Sequence, residues 1–176
     1  MLIIRHGRGT VVAPPGSWDP LDAMVLDARI RHDETLSVLD NLVQVRVALE
    51  AELAATAATR RTAKQLSEMY AVLEEMESVL GNPERYLALE VEFHDQVMRM
   101  SGNDVGRAVV TSIHDHARLS SRYSGGERDK QIVAADAGHV AIAQAINDSD
   151  EAAARGAMRS HILDSWRSKR SLRGGR

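Results

Sequence analysis

Three histidines and one glutamate occupy positions where the helical pattern of this sequence calls for apolar side chains. They are Glu90, His94, His139 and His161, and each lies on the apolar stripe of a predicted helix. Burying a carboxylate and imidazoles in a core is costly unless a partner satisfies them. A divalent metal ion is the simplest such partner, because these nitrogen and oxygen donors suit zinc, nickel or manganese. The pattern therefore predicts an internal metal site.

The spacing of these residues permits them to meet. Glu90 and His94 are four apart, so their side chains share one helix face. The last two predicted helices should pack antiparallel across a short turn, with His139 about ten residues before it and His161 about twelve after it, which places them at similar heights. A lone buried histidine is nevertheless more often a satisfied core residue than a ligand. Spacing alone leaves both interpretations open.

Composition restricts the fold and the class of protein. The chain has 176 residues, enough for one domain, with 44% hydrophobic but only 3% aromatic residues, which favours helices over a sheet. A net charge of −3 gives no nucleic-acid signature, and the lack of cysteine excludes disulfides and thiolate catalysis. No secretory signal or membrane-length apolar stretch is evident. We expect a soluble, cytoplasmic protein.

The predicted organisation is an antiparallel all-α bundle of six to seven helices that follows a short β-hairpin. Residues 1–13 contain two β-prone runs around a glycine-rich turn, and the Pro- and Gly-containing segment 14–19 reads as a linker. The helical domain spans 20–168, and a basic tail occupies 169–176. The predicted helices cover 20–31, 34–59 (capped by Asp33), 62–80, 84–101, 104–122, 127–147 and 150–168.

Arg46 is a second candidate for chemistry. It lies on the inward side of the longest predicted helix, where a buried guanidinium can grip a carboxylate through two hydrogen bonds. The alternative is an internal pair with Glu50 or Asp40. His114 and His116 are two apart on a helix, so they cannot face the same point, and a surface role is expected for at least one of them.

Several strings of this sequence, in order, resemble one known family. They are Glu90-Val-Glu-Phe93-His94, Ser101-Gly102-Asn103, Gly138-His139 and Ala157-Met158-Arg159-Ser160-His161-Ile162, with Val45-Arg46 and Leu49-Glu50 upstream. They resemble the effector-binding FCD domain of FadR-type GntR transcription regulators. Residues 5–12 resemble the end of the wing in the family's winged helix-turn-helix domain, and 18–22 resemble the following linker in sugar-acid-responsive members.

The resemblance implies a bundle in which Glu90, His94, His139 and His161 hold one divalent metal. Zinc leads on affinity and availability, with nickel or manganese as alternatives. Glu90 stands where the family more often has Asp, which adds a methylene and implies a shifted metal position or a different metal preference. The implied effector is a small organic or sugar acid whose carboxylate reaches the metal. Its candidate binding residues are Arg46, Asn103, His116 and Arg122.

The resemblance also implies a homodimer whose effector alters DNA binding at palindromic operators. The family's recognition helices precede the wing, and this sequence begins inside the wing. We therefore expect operator binding only where those helices are present, since major-groove reading needs a helix placed there. The expected protein is a regulator and not an enzyme. The alternative is a metal-dependent hydrolase or isomerase, although no further carboxylate or lysine adjoins the predicted ligands as a general base.

Overall fold

The computed structural model describes the backbone of residues 2–5, 9–118 and 129–171, and the side chains of 9–114 and 135–171. These residues form two strands, a 3₁₀ turn at Pro15–Ser17 and seven helices. The elements are β1 (Leu2–Arg5), β2 (Gly9–Val12), α1 (Ala23–His32), α2 (Ser37–Arg60), α3 (Ala63–Ser78), α4 (Pro83–Ser101), α5 (Asp104–Arg118), α6 (Asp129–Asn147) and α7 (Glu151–Ser171). The prediction of an all-α bundle preceded by a hairpin is confirmed.

The hairpin pairs its strands antiparallel, with Leu2 opposite Val12 and Arg5 opposite Gly9. The predicted turn at 6–8 lies outside the described residues. After the strands, the indole Nε1 of Trp18 donates a 2.8 Å hydrogen bond to the carbonyl of Ala13. This bond ties the linker to the end of the hairpin.

Two helix starts follow the capping pattern of the sequence. Thr62 and Gln65 form the predicted capping box at α3, in which each side chain accepts from the backbone of the other. Asn82 caps α4 by accepting the N–H of Arg85, with Pro83 at the first helical position. These local signals fix where α3 and α4 begin.

The longest helix, α2, begins later than predicted, so its predicted cap residue does not occupy the capping position. Helix α2 begins at Ser37, and the residue before it, Leu36, has a left-handed φ of 63°. Asp33 instead ends α1, so the prediction that it is the N-cap residue of α2 is wrong. Its carboxylate still accepts the N–H of Val38 at 2.6 Å, because the intervening turn folds the chain back toward the helix.

Helix α2 is the centre of the bundle, with 13 of its 24 residues buried. It packs against α1, α4, α5, α6 and α7, and α6 packs antiparallel to α7 across a short turn, as predicted. Arg46 and Glu50 are the charged residues of its buried face. A helix enclosed on so many sides places any polar group it carries within reach of several neighbours.

Helix α7 continues past its predicted end at 168 to Ser171. Arg170 pairs with Asp40 of α2, whose carboxylate also accepts the indole N–H of Trp166 at 2.8 Å. Basic residues in the last turn of a helix interact favourably with its dipole. Among the described residues, none of the helices is sufficiently long and apolar to cross a bilayer.

Candidate metal centre

The four residues singled out by the sequence converge inside the bundle. One potential ligand atom from each of Glu90, His94, His139 and His161 lies within 4.8 Å of the others. His139 is 0% exposed, His94 1% and His161 6%, while Glu90 is half-buried. The convergence of the predicted set is therefore present in the fold.

The α6–α7 contact brings two of these histidines together. Gly138 precedes His139 on α6, and a Cβ atom at Gly138 would lie only 2.5 Å from Nδ1 of His161 on α7. Real Cβ atoms are essentially never that close to another heavy atom. Glycine at 138 thus permits the close helix packing that leaves the His139 and His161 ring centroids 4.1 Å apart.

His94 is oriented by a buried carboxylate on α2. Its Nδ1 lies 2.6 Å from Oε2 of Glu50, which is 0% exposed. Burial raises the pKa of Glu50, but Arg46, whose Nε donates to Oε1 at 2.7 Å, and His94 outweigh that effect and hold the pKa well below its ordinary value. Because an ionised carboxylate only accepts hydrogen bonds, Nδ1 of His94 donates to Glu50, which leaves Nε2 as the nitrogen that faces the cluster.

His139 is oriented by a comparable relay. The hydroxyl of Tyr86 lies 3.3 Å from Nδ1 of His139. It also interacts with the side chain of Asp136, whose pKa is raised by burial. When this hydroxyl accepts the Nδ1 proton of His139, Nε2 presents its lone pair. Nε2 of His139 is buried and has no hydrogen-bond partner among the described residues.

The geometry of these nitrogens fits a metal ion. Nε2 of His94 and Nε2 of His161 are 3.2 Å apart. Two imidazoles bound at ~2.0–2.1 Å to one tetrahedral ion place their nitrogens ~3.3 Å apart. Buried polar atoms normally have a partner, so the orphaned Nε2 of His139 beside this pair is the observation a bound cation would explain.

The protonation states also suit a metal. Burial disfavours the charged form of Glu90, but interaction with Lys169, His94 and His161 outweighs it and lowers its pKa to about 2. Burial and the neighbouring imidazoles lower the pKa of His161 to about 3 and that of His139 well below its ordinary value. Near neutral pH Glu90 is therefore a carboxylate, and His139 and His161 are neutral imidazoles, the forms that bind divalent ions.

The predicted effector-binding residues fall in different places. Arg46 is buried and pairs with Glu50, which was the alternative weighed for it. Asn103 is exposed and accepts the N–H of Gly106 at the start of α5. The side chain of His116 and the whole of Arg122 lie outside the described residues. Effector binding therefore stays a prediction for all four.

Two functional neighbours of the cluster were not selected from the sequence. Glu50 was considered only as a partner of Arg46, although it also supports His94. His114 is buried, at 7% exposure, with Nε2 3.2 Å from Oε1 of Glu50, and burial and Arg46 lower its pKa. The apolar stripe through Val110 and His114 was the available signal.

Comparison with known proteins agrees with this architecture. The FCD domain family matches residues 41–164. The uncharacterized HTH-type transcriptional regulator YieP of Escherichia coli is 27% identical over 156 residues, which cover 88% of this chain and 66% of that protein. The galactonate operon transcriptional repressor of Escherichia coli is 25% identical over 169 residues, covering 95% and 73% respectively. The chain thus spans about two thirds to three quarters of these relatives.

Solved structures give the same result. Streptococcus agalactiae GntR superposes with a TM-score of 0.68 at 26% identity, covering 95% of this chain and 74% of that one. Escherichia coli McbR/YncC superposes with a TM-score of 0.68 at 13% identity, covering 97% and 77%, which supports the fold alone.

The chain belongs to the FCD domain family of GntR-type transcription regulators. This membership confirms the family inferred from the sequence motifs. It also removes the alternative of a metal-dependent hydrolase or isomerase, because the family consists of non-enzymatic regulators.

The close contact at Gly138 predicts that one added methyl group lowers the zinc affinity of the cluster. Gly138→Ala places a Cβ against the imidazole of His161, so α7 must shift and the ligand set loosens. We expect at least a tenfold loss of zinc affinity, equivalent to about 1.4 kcal/mol, measured by competition with a chelating dye.

A matched control for this substitution lies on α7. A Cβ at Gly156 has no atom within 4 Å, so Gly156→Ala should keep zinc affinity and raise the free energy of unfolding by about 0.5–1 kcal/mol. Equal zinc affinity in the two variants would contradict the role given to Gly138.

The depressed histidine pKa values predict acid sensitivity of the metal-free protein. The unfolded chain protonates its histidines near 6.5, whereas His161 in the folded chain does so at about 3. Stability is therefore complete above the unfolded value and is lost as pH falls below it, by about 1.4 kcal/mol per pH unit for each of His139 and His161. Urea unfolding of chelator-treated protein between about pH 7 and 5 measures this slope.

A double variant supplies the control for the pH dependence. His139→Asn with His161→Asn removes both groups, so most of the slope between about pH 6.5 and 5 should disappear. An unchanged slope would mean that other groups cause the acid sensitivity.

Proposed function

We propose that this chain is a metal-containing sensor domain that recognises a small carboxylate or sugar acid for a GntR/FadR-type regulator. Glu90, His94, His139 and His161 would hold one divalent ion, with zinc as the first choice and nickel or manganese as alternatives. The observation that carries this proposal is the buried, unsatisfied Nε2 of His139 within the four-residue cluster. The ion would supply a Lewis-acidic point for an effector carboxylate.

The charges around the cluster favour an anionic effector. Glu50 and Glu90 are negative, Arg46 and Lys169 are positive and act on Glu90, and His139 and His161 are neutral near pH 7. These four charges cancel. A divalent ion would then leave two excess positive charges in a largely buried site, and unbalanced buried charge is costly. An acid carrying one or two carboxylates would offset it.

The class of acid is inferred from a relative. The Escherichia coli protein that matches 95% of this chain is named for repression of the galactonate operon, and galactonate is a hydroxylated carboxylate. We propose an effector of this chemical kind, with Arg46 as the guanidinium that grips its carboxylate. Asn103, His116 and Arg122 remain further candidate contacts.

We further propose a homodimer in the cytoplasm, where effector binding would change the placement of DNA-binding heads. Operator DNA would be a partner only of a polypeptide that includes the recognition helices, since helix placement in the major groove gives sequence specificity. The effector would act through its different affinity for the two arrangements of the dimer.

The first test is metal content. Purified protein reconstituted with zinc should contain about one ion per chain, and His139→Ala with His161→Ala should lower metal content and melting temperature together, because metal binding free energy adds to folding. Elemental analysis and calorimetry give the two readouts. His32→Ala changes an exposed histidine of α1 and serves as the control. Absence of metal after reconstitution would exclude the site.

The second test is effector binding. D-galactonate should stabilise zinc-loaded protein, by about 2.7 kcal/mol at a concentration 100 times its dissociation constant. Galactitol has the same hydroxylated chain without the carboxylate and should have no effect. Calorimetric titration measures the binding of both compounds, and thermal shifts measure the stabilisation that each produces.

Arg46→Lys tests the guanidinium. It keeps the positive charge but loses the planar fork, so galactonate affinity should fall at least tenfold. Arg159→Lys, at an exposed position of α7, is the matched control. Equal stabilisation of metal-free protein, or equal binding of galactitol, would count against the metal–carboxylate contact.

A further inference from the structure

A groove on the outer side of the cluster lies between α6 and α7. Its volume is about 340 Å³, within the size range of small-molecule sites. Alanines and Gly138 line the α6 side, and His161, Ser165 and Lys169 lie on the α7 side. The groove therefore adjoins one imidazole of the candidate metal site from the side opposite the bundle interior.

The outer ring nitrogen of His161 differs from those of its neighbours. Nδ1 of His94 has a carboxylate partner and Nδ1 of His139 has a hydroxyl partner. His161 is 6% exposed, its Nε2 faces His94, and the hydrogen bonds of the described residues include none to its Nδ1. That Nδ1 lies against Gly138, in the space that a Cβ at this position would fill, and both residues line the groove.

The chemistry of this nitrogen calls for an acceptor. When Nε2 of a histidine faces a metal, the other ring nitrogen almost always donates its proton to a carboxylate, carbonyl or water. Asp164 lines the groove but pairs with Arg167 at 2.8 Å. For His94 and His139 the fold itself supplies a partner for Nδ1. For His161 the acceptor must come from a molecule that occupies the groove.

Positive charge and hydroxyl groups complete the lining. Lys169 lies eight residues after His161 on α7 and lines the same groove. Its positive charge lowers the pKa of Glu90 and of His139, so its field reaches the cluster. Three serines, Ser160, Ser165 and Ser168, also line the groove and carry hydroxyl groups.

We propose that the α6–α7 groove is a second anion site that binds a small hydroxylated carboxylate. One carboxylate oxygen accepts the Nδ1 proton of His161, the positive field of Lys169 attracts the anion, and the serine hydroxyls contact the hydroxyl groups of the ligand. This site is separate from the interior position proposed for the effector.

Occupation of the groove has a consequence that rests on the proposed metal function. An acceptor on Nδ1 fixes the tautomer and orientation of His161, and such outer contacts change metal affinity by about 10–100-fold. Because linkage is reciprocal, zinc raises the affinity for the groove ligand by the same factor.

The test uses D-gluconate and the full chain labelled with ¹⁵N-histidine. In zinc-loaded protein the Nδ1 signal of His161 should shift as gluconate binds. Lys169→Met should weaken that binding at least tenfold, and Ala141→Leu should abolish it by filling the groove from α6. Ala152→Leu, at an exposed position of α7 outside the groove, should bind like the unmodified chain.

Two outcomes would overturn the proposal. One is a His161 signal that stays unchanged up to about 100 mM gluconate, far above a millimolar dissociation constant. The other is an equal shift in Ala141→Leu, which would place the ligand elsewhere. Loss of the groove response in Ala141→Leu with retained stabilisation by D-galactonate would separate the groove from the interior site. Binding by metal-free protein would support the groove even if the metal proposal failed.

Discussion

The buried carboxylate of Glu50 is the interaction on which the centre of the bundle depends. It lies in the middle of the central helix and accepts from Arg46, His94 and His114. A buried ion is tolerated only when its hydrogen bonds are satisfied, so three helices must keep their register around it. The same contact fixes the tautomer of His94, and it thereby links the integrity of the core to the chemistry of the cluster.

Close helix packing is the second constraint. Gly138 lets α6 approach α7 until His161 overlies it, and the relay through Tyr86 directs the ring of His139. These contacts come from parts of the chain that are far apart in sequence. They bring the rings of His94, His139 and His161 together, and one edge of His161 borders the groove between α6 and α7.

Local signals in the sequence were reliable where one segment contains both partners. The capping box of α3 joins Thr62 to Gln65, and the cap of α4 joins Asn82 to Arg85, so the partners in each are three positions apart. The cap at Asp33 failed because Leu36 takes a left-handed conformation that no local preference indicated. Helix α7 extends beyond its predicted end, where Arg170 forms an ion pair with Asp40 of α2.

The sequence by itself determined the helical class and the four residues that converge, because periodicity records which faces are buried, and its motifs indicated the family by resemblance. It did not determine what surrounds them. The support of His94 by Glu50, the burial of His114 and the exposed capping position of Asn103 follow from how helices cross. A stripe pattern gives each helix an inward side, but only the tertiary structure decides which inward residues share hydrogen bonds, since that depends on rotation and height between helices distant in sequence.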